Sequence, residues 1–483
     1  MNNYVLAIDI GTTSAKALAV QADGQIVSSL QKFYTTHYPQ PGFAEQDPEL
    51  IFQSVNQLVE ETLATLPNKS LLAIALSCAM HGVMAVDVSG NPLTPLVIWS
   101  DTRSKAQAFR LRSGEPGKKI YERTGTPIHP MSPLCKLLWW KETNPELFRS
   151  THKFVSVKEF ILWKWTGHWI VDYSIASATG YFDIRKKDWS EEALEELSVS
   201  KEKFSSIVSP DHAIPFQKSW TDKNPRLQAV SIIVGSSDGC LAQLGSGALA
   251  NGMMTITLGT SGAVRIARKD YTVDPGHRTF CYRFNDEWLV CGGATNNGTA
   301  LIDWFANQFG VNGTLNLFAE HALRVDAEGL IALPYWQGER APIYQPDAKG
   351  VFFGITQRHT SQHFQRAILE GICFELRSIL ESVEDVFGPS AQLLVSGGII
   401  RSDHWLQLLS SILDKPLLVN AEYDASALGA AQLGYASLGI DYTPTTNVTK
   451  VFKPEAKQIY QERYALFQKL NKQLLPMFNS ELI

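Results

Sequence analysis

A short pattern, in which an apolar strand leads into a Gly-Thr turn and a returning strand, occurs once in each half of this chain. The first copy is Ile8-Asp9-Ile10-Gly11-Thr12-Thr13, and the second copy is Ile256-Thr257-Leu258-Gly259-Thr260-Ser261. Two copies of one hairpin predict a duplicated domain. The alternative is a chance similarity between two unrelated hairpins. The Gly-rich segment 244–252 predicts the boundary, which divides the chain into domains 1–245 and 246–483.

Strands alternate with helices along the first domain. Tyr4 to Ile10 and Lys16 to Val20 have the apolar composition of strands, and Asp23-Gly24 is a turn dipeptide that returns the chain into a third strand. Asp47-Pro48 then predicts the start of a helix that ends near Leu66. This alternation predicts an α/β fold.

Composition and charge exclude several classes of partner. The chain has 45% hydrophobic and 19% charged residues, as globular proteins do. Its net charge of −5 gives no reason to expect nucleic-acid or membrane partners, since both usually need a basic face. It contains neither a signal peptide pattern nor an apolar run of the roughly 18 residues that span a membrane. The six cysteines form no C-x-x-C pair, which favours free thiols in a reducing compartment. We therefore expect a cytoplasmic metabolic protein with a small-molecule partner.

The first Gly-Thr turn has the residues of a phosphate-binding loop. Thr12, Thr13 and Ser14 can aim N–H groups and hydroxyls at one phosphate oxygen, and Lys16 follows directly. Asp9 precedes the turn, where its charge would repel a phosphate unless a Mg²⁺ ion bridges the two. The alternative is an ordinary hairpin in which Asp9 caps the turn.

Asp238 is the candidate general base. It follows the apolar strand Ser231 to Val234 through the turn Gly235 to Gly239, and ligands of α/β sheets bind outside the carboxyl ends of such strands. A carboxylate there could accept the proton of a substrate hydroxyl that attacks a phosphate. The alternative is that Asp238 caps the helix that begins at Cys240.

Two further groups of residues could contact ligands. Gly397 and Gly398 stand between a strand and a helix, where their small size would admit a nucleotide ring or tight packing. The second group combines hydrogen-bonding, charged and aromatic side chains that suit a polyhydroxylated ligand, although each could equally have a surface or core role. Its members are Met80, His81, Trp99, Asp101 and Arg103.

Taken together, these residues resemble the FGGY carbohydrate kinases, whose fold belongs with hexokinase, actin and Hsp70. The segment from Met131 to Glu142 resembles the first family signature, with Thr143 in place of the usual final residue. The segment from Gly350 to Glu370 fits the second signature throughout. The resemblance implies two duplicated ribonuclease H-like domains of the actin and hexokinase type around a central cleft. It also implies ATP and Mg²⁺ as cofactors and a sugar or sugar acid as substrate.

The resemblance also implies a role for each matching residue. Asp9 would hold Mg²⁺ and Asp238 would be the catalytic base. The nucleotide would be bound by Thr12, Thr13, Ser14 and Lys16 at the γ-phosphate, by Gly259 and Thr260 at the β-phosphate, and by Gly298, Gly397, Gly398 and Ser402 around the rest. At position 399 the chain has Ile399, where the family often has Ala or Gly.

Within that family the chain resembles the gluconate kinase branch. Met80-His81 is shared with xylulokinases and does not separate the two branches. The stretch Gly125 to Pro130 is more discriminating, and the resemblance implies that it brings His129 near the site. Pro334 to Pro342 also resembles the gluconate kinase branch. The implied reaction is the ATP-dependent phosphorylation of D-gluconate at its C6 hydroxyl. The carboxylate partner would be Arg103, His81 or His129.

Two other functions and one structural question stay open at this point. The chain could be a xylulokinase or another kinase of the same family, or a non-catalytic ATP-dependent switch of the actin or Hsp70 type. Leu466, Phe467 and Leu470 could cover a lobe or a partner subunit, so a homodimer is possible.

Overall fold

A computed structural model describes residues 3–249, 252–310, 314–420, 424–443, 448–455 and 458–479 of this chain. Across these ranges it has two large sheets, one in each half, with helices packed against them. The predicted α/β fold is confirmed. Ala250 and Asn251, which belong to the predicted boundary segment, lie outside the described residues, and the division at 245 stays a prediction.

The N-terminal sheet has six strands within the described residues. Their spatial order is Ala213–Pro215, Ser231–Ser237, Ser70–Cys78, Asn3–Ile10, Ser14–Val20 and Ile26–Phe33. The first Gly-Thr turn joins an antiparallel pair, and the two strands beyond that pair run parallel to the first strand of the chain. In this register Asp9 is opposite Ser77, and Ser237 is opposite Cys78. The predicted metal ligand and the strand that leads to Asp238 therefore end at one edge of the sheet.

The C-terminal sheet has seven strands among the described residues and repeats this plan. Their order is Phe280–Arg283, Leu289–Thr295, Gly262–Arg268, Met253–Leu258, Gln392–Ser396, Leu417–Asn420 and Val448–Phe452. The second Gly-Thr turn again joins an antiparallel pair, whose first strand has a parallel neighbour on its other side. The predicted duplication is confirmed by this shared order and direction of strands.

The two longest helices each pack on one of the sheets. Helix Pro48–Thr65 begins as predicted, because the Asp47 carboxylate accepts from the N–H groups of Glu49 and Leu50. Helix Ser361–Phe387 packs on the C-terminal sheet. The other helices are Lys105–Ser113, Glu115–Thr124, Pro133–Thr143, Pro145–Ser150, Val157–Thr166, Tyr173–Ser177, Glu191–Leu197, Lys218–Thr221, Asp238–Gly245, Thr299–Phe309, Leu315–Ala322, Asp403–Leu413, Ala425–Ser437 and Gln458–Leu474.

Helix Ala425–Ser437 belongs to the C-terminal half of the chain but packs on strands of the N-terminal sheet and on helix Asp238–Gly245. The two helices touch at glycines: a Cβ atom on Gly245 would lie 2.0 Å from the Ala425 carbonyl oxygen, and one on Gly429 would lie 2.0 Å from that of Leu241. Only glycine permits so close an approach of two backbones. The contact brings the start of this helix to the edge of the N-terminal sheet, beside Asp9.

Short strand pairs complete the fold. They are Glu45–Gln46 with Leu96–Val97, Met84–Val86 with Lys153–Val155, Ile170–Asp172 with Ser206–Val208, Phe182–Asp183 with Asp188–Trp189, and Ile331–Leu333 with Val351–Phe353. No helix in the described ranges has the length and apolar character that crossing a membrane requires. All six cysteines are buried and free, as the sequence predicts.

Two predictions about local structure are corrected or decided here. The strand expected to end at Val234 continues to Ser237. Within it, Gly235 has a φ of +71°, and a Cβ atom there would lie 1.7 Å from the Leu76 carbonyl oxygen, so only glycine fits at this position.

At the C-terminus, Phe467 is fully buried against Phe374. This residue therefore covers its own lobe, and a homodimer stays a prediction.

Candidate active site

A cavity of about 180 Å³ lies between the two halves and is lined by residues of both. The lining residues that matter below are Thr12, Met80, His81, Trp99, Met131 and Asp238 from the N-terminal half, with Ser261, Arg265, Tyr282, Arg340 and Tyr344 from the C-terminal half. Asp238 is the one carboxylate among the residues that line it. The predicted cleft is thus present, and it contains several of the predicted site residues.

Asp9 is held by two serine hydroxyls. Ser77 donates to Oδ1 at 2.6 Å, and Ser426, from the helix that crosses from the C-terminal half, donates to Oδ2 at 2.8 Å. Among the described residues the turn's own N–H groups do not bind this carboxylate, so the alternative of a turn cap is wrong. Burial raises the pKa of Asp9, while the two serine hydrogen bonds oppose that rise.

The donor set around Asp9 fits a hydrated Mg²⁺ ion. Mg²⁺ is usually bound through one or two carboxylates together with waters and substrate phosphates, rather than by an all-protein cage. The described residues contain no cluster of three or more acidic, histidine or cysteine ligands. They do place Asp9 close enough to Asp238 for its charge to raise the Asp238 pKa. The assignment of Asp9 to Mg²⁺ stays a prediction.

The residues of the first Gly-Thr turn have different surroundings. Thr12 lines the cavity, and its hydroxyl accepts from Trp99 Nε1 at 2.9 Å. Thr13 is exposed, and the Ser14 hydroxyl accepts from Gln31. Lys16 differs from expectation: its ammonium lies 2.6 Å from both carboxylate oxygens of Asp424. That ammonium is therefore paired with an acid in this structure, and its role at a γ-phosphate stays a prediction.

Asp238 is the first residue of its helix. The cap is Ser237, whose hydroxyl accepts from the N–H of Cys240, so the alternative that Asp238 caps this helix is wrong. The Gly239 N–H donates to Asp238 Oδ1 at 2.6 Å, and Oδ2 accepts no hydrogen bond from the described residues. Burial, followed by the charge of Asp9, raises the pKa of Asp238 to about 6, against the opposing charge of Arg265. A carboxylate with a pKa near neutrality suits a general base.

The structure brings the predicted nucleotide glycines together around the second Gly-Thr turn. The Gly298 N–H donates to the Thr260 carbonyl at 3.0 Å, and a Cβ atom on Gly298 would lie 2.3 Å from the Gly259 carbonyl oxygen. Gly397, with a φ of +88°, approaches the Leu258 carbonyl in the same way. A Cβ atom on Gly259 itself would meet nothing within 4 Å, so this turn presents an open backbone surface.

The segment after these glycines differs from expectation at one residue. Ser402 is fully buried, and its hydroxyl caps helix Asp403–Leu413 by accepting from the Trp405 N–H. The Ser402 side chain is therefore a helix cap in this structure, and its contact with an adenosine stays a prediction. Gly398 does stay near the open turn, since a Cβ atom there would lie 3.8 Å from the Gly259 Cα atom. Ile399, which replaces the family's small residue, is buried in the core.

His81 lines the cavity as a neutral ring. Its Nδ1 lies 2.7 Å from the Ala178 carbonyl oxygen and therefore carries the proton, and burial lowers its pKa to about 3. It cannot supply a positive charge to a substrate carboxylate at neutral pH. The His81 backbone has a φ of +67°. Lys136, a buried residue of the first signature, donates from its ammonium to the carbonyls of His81 and Ile98 and so fixes the backbone at His81.

Asp101 and Arg103 are not among the residues that line the cavity. The Arg103 guanidinium donates to both carboxylate oxygens of Asp101 and to Glu45. The central carbon of this guanidinium, Cζ, lies 3.9 Å from the centroid of the Phe43 ring. Its side chain is 5% exposed. The Asp101 carboxylate also accepts from the Ala44 N–H. The Arg103 guanidinium is therefore engaged by two acids, and the substrate roles of Asp101 and Arg103 stay predictions.

His129 is buried and packs against Tyr344, which lines the cavity. Its Nδ1 accepts from the Met131 N–H at 3.2 Å, and its ring lies 6.0 Å from that of Tyr344, centroid to centroid. Its Nε2 is buried and has no hydrogen-bond partner among the described residues. Burial lowers the pKa of His129 well below its usual value, and the charge of Arg340 adds to that effect.

Arg265, Tyr282, Arg340 and Tyr344 line the cavity but are not among the residues that the sequence predicts for the site. Arg265 had a signal, because it interrupts the apolar strand Gly262–Arg268 between Val264 and Ile266, which are both buried. Arg340 lies within the stretch Pro334 to Pro342, which resembles gluconate kinases. No sequence pattern around Tyr282 or Tyr344 predicts that these tyrosines line the cavity.

Residues 4–245 match the N-terminal domain of the FGGY family of carbohydrate kinases, and residues 254–438 match its C-terminal domain. Gluconokinase of Bacillus subtilis (strain 168) is 36% identical over 465 residues, which cover 91% of this chain and 89% of that protein. Xylulose kinase of Escherichia coli (strain K12) is 28% identical over 485 residues, which cover 98% of this chain and 99% of that protein.

Solved structures resemble the chain over nearly its full length. The gluconate kinase of Lactobacillus acidophilus aligns with a TM-score of 0.92 at 30% identity and covers 98% of both chains. The ligand-bound xylulose kinase of the same organism aligns with a TM-score of 0.93 at 30% identity and also covers 98% of both. The backbone therefore does not separate a sugar from a sugar acid as substrate.

Proposed function

The chain belongs to the FGGY family of carbohydrate kinases, and from that premise we propose that it transfers the γ-phosphate of ATP to the C6 hydroxyl of D-gluconate. It is an ATP-dependent carbohydrate kinase with the fold of the actin and hexokinase ATPases. The observation that carries the choice of a sugar acid is the charge of the cavity. Arg265 and Arg340 both line it, and neither forms an ion pair within the described residues.

A substrate with its own carboxylate matches that cavity. The nearest acid to Arg340 along the chain is Glu339, whose oxygens accept instead from Thr295, from Asn296 and Asn297, and from the Arg340 N–H. Asp238 and Glu339 act on the two guanidinium groups through their charge, but a neutral ketose would leave both groups without a carboxylate in ion-pair contact. Gluconate would supply the missing negative charge. The greater identity to the gluconokinase than to the xylulose kinase supports the same choice.

In the proposed reaction Asp238 removes the proton of the C6 hydroxyl. The substrate oxygen forms a bond with the γ-phosphorus as the bond from that phosphorus to the β,γ-bridging oxygen of ATP breaks, and ADP leaves. The proton passes to Asp238 Oδ2, since Oδ1 is held by the Gly239 N–H. Asp9 would hold Mg²⁺, which neutralises charge on the phosphates when bound. Closure of the halves around the cavity would exclude water, which otherwise competes as the acceptor.

A substrate screen tests this proposal. We expect D-gluconate to have a kcat/KM at least about 10²-fold above those of D-xylulose and glycerol, because only the acid pairs the cavity arginines. ADP release at saturating ATP measures it. High turnover of xylulose with none of gluconate would make the chain a ketose kinase. ATP hydrolysis that is indifferent to every polyol would instead support an ATP-dependent switch.

The pH profile of the reaction should follow the ionisation of Asp238. Its pKa is raised to about 6, so we expect kcat/KM for gluconate to be constant above pH 7 and to fall about tenfold per pH unit below pH 6. The loss occurs on the acid side because a protonated carboxyl cannot accept the substrate proton. Initial rates from pH 5 to 8.5, at constant ionic strength and saturating ATP, measure the profile. A rate that is unchanged between pH 5 and 7 would contradict Asp238 as the base.

A further inference from the structure

A β-bulge interrupts the strand that leads to Asp238. Ile233 is opposite Ala75 of the neighbouring strand. Ser236, three positions further on, is opposite Ser77, which is only two positions further on, so the strand before Asp238 contains one extra residue. Bulges occur next to active sites, where they disrupt the strand pairing and re-aim the side chains that follow. The chain that carries Asp238 therefore depends on further contacts for its position.

The hydroxyl of Ser174 supplies such a contact. Ser174 belongs to the short helix Tyr173–Ser177 and is fully buried. Its Oγ atom accepts from the Ser237 N–H at 2.7 Å and lies 2.6 Å from the Ser236 Oγ atom. Ser237 directly precedes Asp238 and caps its helix. The Ser174 hydroxyl is thus bonded to both residues between the bulge and Asp238.

The carboxylate of Asp172 decides the direction of these hydrogen bonds. Its Oδ1 atom accepts from the Ser174 hydroxyl at 2.6 Å, so the one proton of that hydroxyl is used and its two lone pairs accept from Ser236 and Ser237. The Oδ2 atom of Asp172 lies 2.7 Å from the Lys158 ammonium, and both of these side chains are buried. Buried polar networks with satisfied members are rigid.

We propose that Ser174 is a positioning residue for Asp238 and that Asp172 and Lys158 act through it. This inference rests on the proposed function, in which Asp238 is the base, and adds what holds that base after the bulge. These three residues are not among those that line the cavity. Without the Ser174 hydroxyl, the buried N–H of Ser237 loses its partner, and the start of the Asp238 helix can shift.

The first test removes or weakens this hydroxyl. We expect Ser174→Ala to lower kcat at least about tenfold and to change the KM for ATP by less than about threefold, because a positioned base acts in the transition state. The acceptor is the sugar or sugar acid that the unchanged protein phosphorylates fastest, so the result does not require gluconate. Ser174→Cys, whose thiol forms weaker hydrogen bonds, should have an intermediate kcat. If Ser174→Ala does not fold, Ser174→Cys takes its place in every measurement.

The matched control is Ser410→Ala. Ser410 is also a fully buried serine, and its hydroxyl contacts the carbonyl oxygens of Lys415 and Phe452 in the C-terminal half. Removal of this hydroxyl should lower the melting temperature, as Ser174→Ala does, because each leaves buried backbone groups with fewer partners. We expect Ser410→Ala to keep the kcat of the unchanged protein.

A double-mutant cycle separates positioning from general stability. If Ser174 acts through Asp238, Ser174→Ala should lower kcat in the unchanged protein but cause no further loss in Asp238→Asn, since residues that act as a unit are not additive. A residue that only stabilises the fold would reduce the rate by the same factor in both backgrounds. Single-turnover phosphoryl transfer with saturating ATP, corrected for the folded fraction, measures all four proteins.

The possible failures are separable. If Asp238→Asn keeps the turnover of the unchanged protein, the base of the proposed function is wrong and this inference is wrong with it. If Asp238→Asn loses turnover and folded Ser174→Ala keeps it, only the assignment of Ser174 is wrong. Equal losses from Ser174→Ala in the two backgrounds would also overturn it, because Ser174 would then stabilise the fold without positioning the base.

Discussion

Asp238→Asn should lower kcat for gluconate by about 10³-fold while changing the KM for ATP by less than about threefold. The amide can still accept the Gly239 N–H at Oδ1, as the carboxylate does now at 2.6 Å. It cannot take a proton from the substrate hydroxyl. Single-turnover phosphoryl transfer, measured with saturating ATP, isolates the affected step from product release.

The stability of the same variant provides its own check. The Asp238 pKa of about 6 lies above the value of about 4 for an unfolded aspartate, so the folded protein binds this proton more tightly than the unfolded chain. The ionised carboxylate therefore destabilises the fold above pH 6, and that cost disappears as the pH falls to about 4. Asp238→Asn should melt at a higher temperature than the unchanged protein at pH 8, with the difference shrinking toward pH 4.

The matched control is Asp403→Asn. Asp403 is also the first residue of a helix that a serine caps, but its carboxylate is exposed and paired with Lys450. We expect normal turnover from this variant. Near-normal kcat in a folded Asp238→Asn protein would remove Asp238 from the proposed mechanism.

Gly298→Ala should lower kcat/KM for ATP by about 10²-fold. The new methyl group would lie 2.3 Å from the Gly259 carbonyl oxygen and 2.9 Å from that of Thr260, so the backbone at 298 must move away from the second Gly-Thr turn. That movement breaks the bonds from the Gly298 and Thr299 N–H groups, at 3.0 and 2.7 Å, which hold the turn. A displacement of about 1 Å in a loop that positions the substrate lowers the rate by about 10²-fold.

Two other glycine variants separate loop geometry from ligand contact. In Gly398→Ala the new methyl group would lie no closer than 3.7 Å to another protein atom, so the melting temperature should not change. The affinity for ATP should fall only if the nucleotide occupies that space. Gly114→Ala, at an extended residue whose closest contact is the Pro116 ring at 3.3 Å, should affect neither. Equal ATP kinetics for Gly298→Ala and Gly114→Ala would show that the second turn does not bind the nucleotide.

The sequence predicted well where function depends on backbone shape. A turn made of Gly, Thr and a hydroxyl residue between two strands folds locally, and its copy in the second half indicates the duplication without knowledge of the packing. The same holds for Gly298 and Gly397, because a close backbone approach requires glycine whatever the distant surroundings are. The placement of Asp238 at the edge of the sheet was also predictable from the buried strand before it, although that strand ends at Ser237 and not at Val234.

The sequence predicted poorly where function depends on which partner a charged side chain meets. Arg103 and Lys16 were reasonable ligand candidates, but each found an acid in the folded chain, Asp101 and Asp424 respectively. The latter pair joins residues 408 positions apart. No local pattern could reveal it, because electrostatic pairing over that separation depends on how helix Ala425–Ser437 packs across the N-terminal sheet.

By itself, then, the sequence determined the α/β class, the duplication, the two Gly-Thr turns and the carboxylate that follows a buried strand, because each is a property of contiguous residues. The tertiary structure alone decided which guanidinium groups lie near that carboxylate without an ion-pair partner. Arg265 and Arg340 come from separate segments and lose their water in a cavity formed by both halves. Whether a charge is free or neutralised there depends on the three-dimensional proximity of acids, which a linear pattern does not encode.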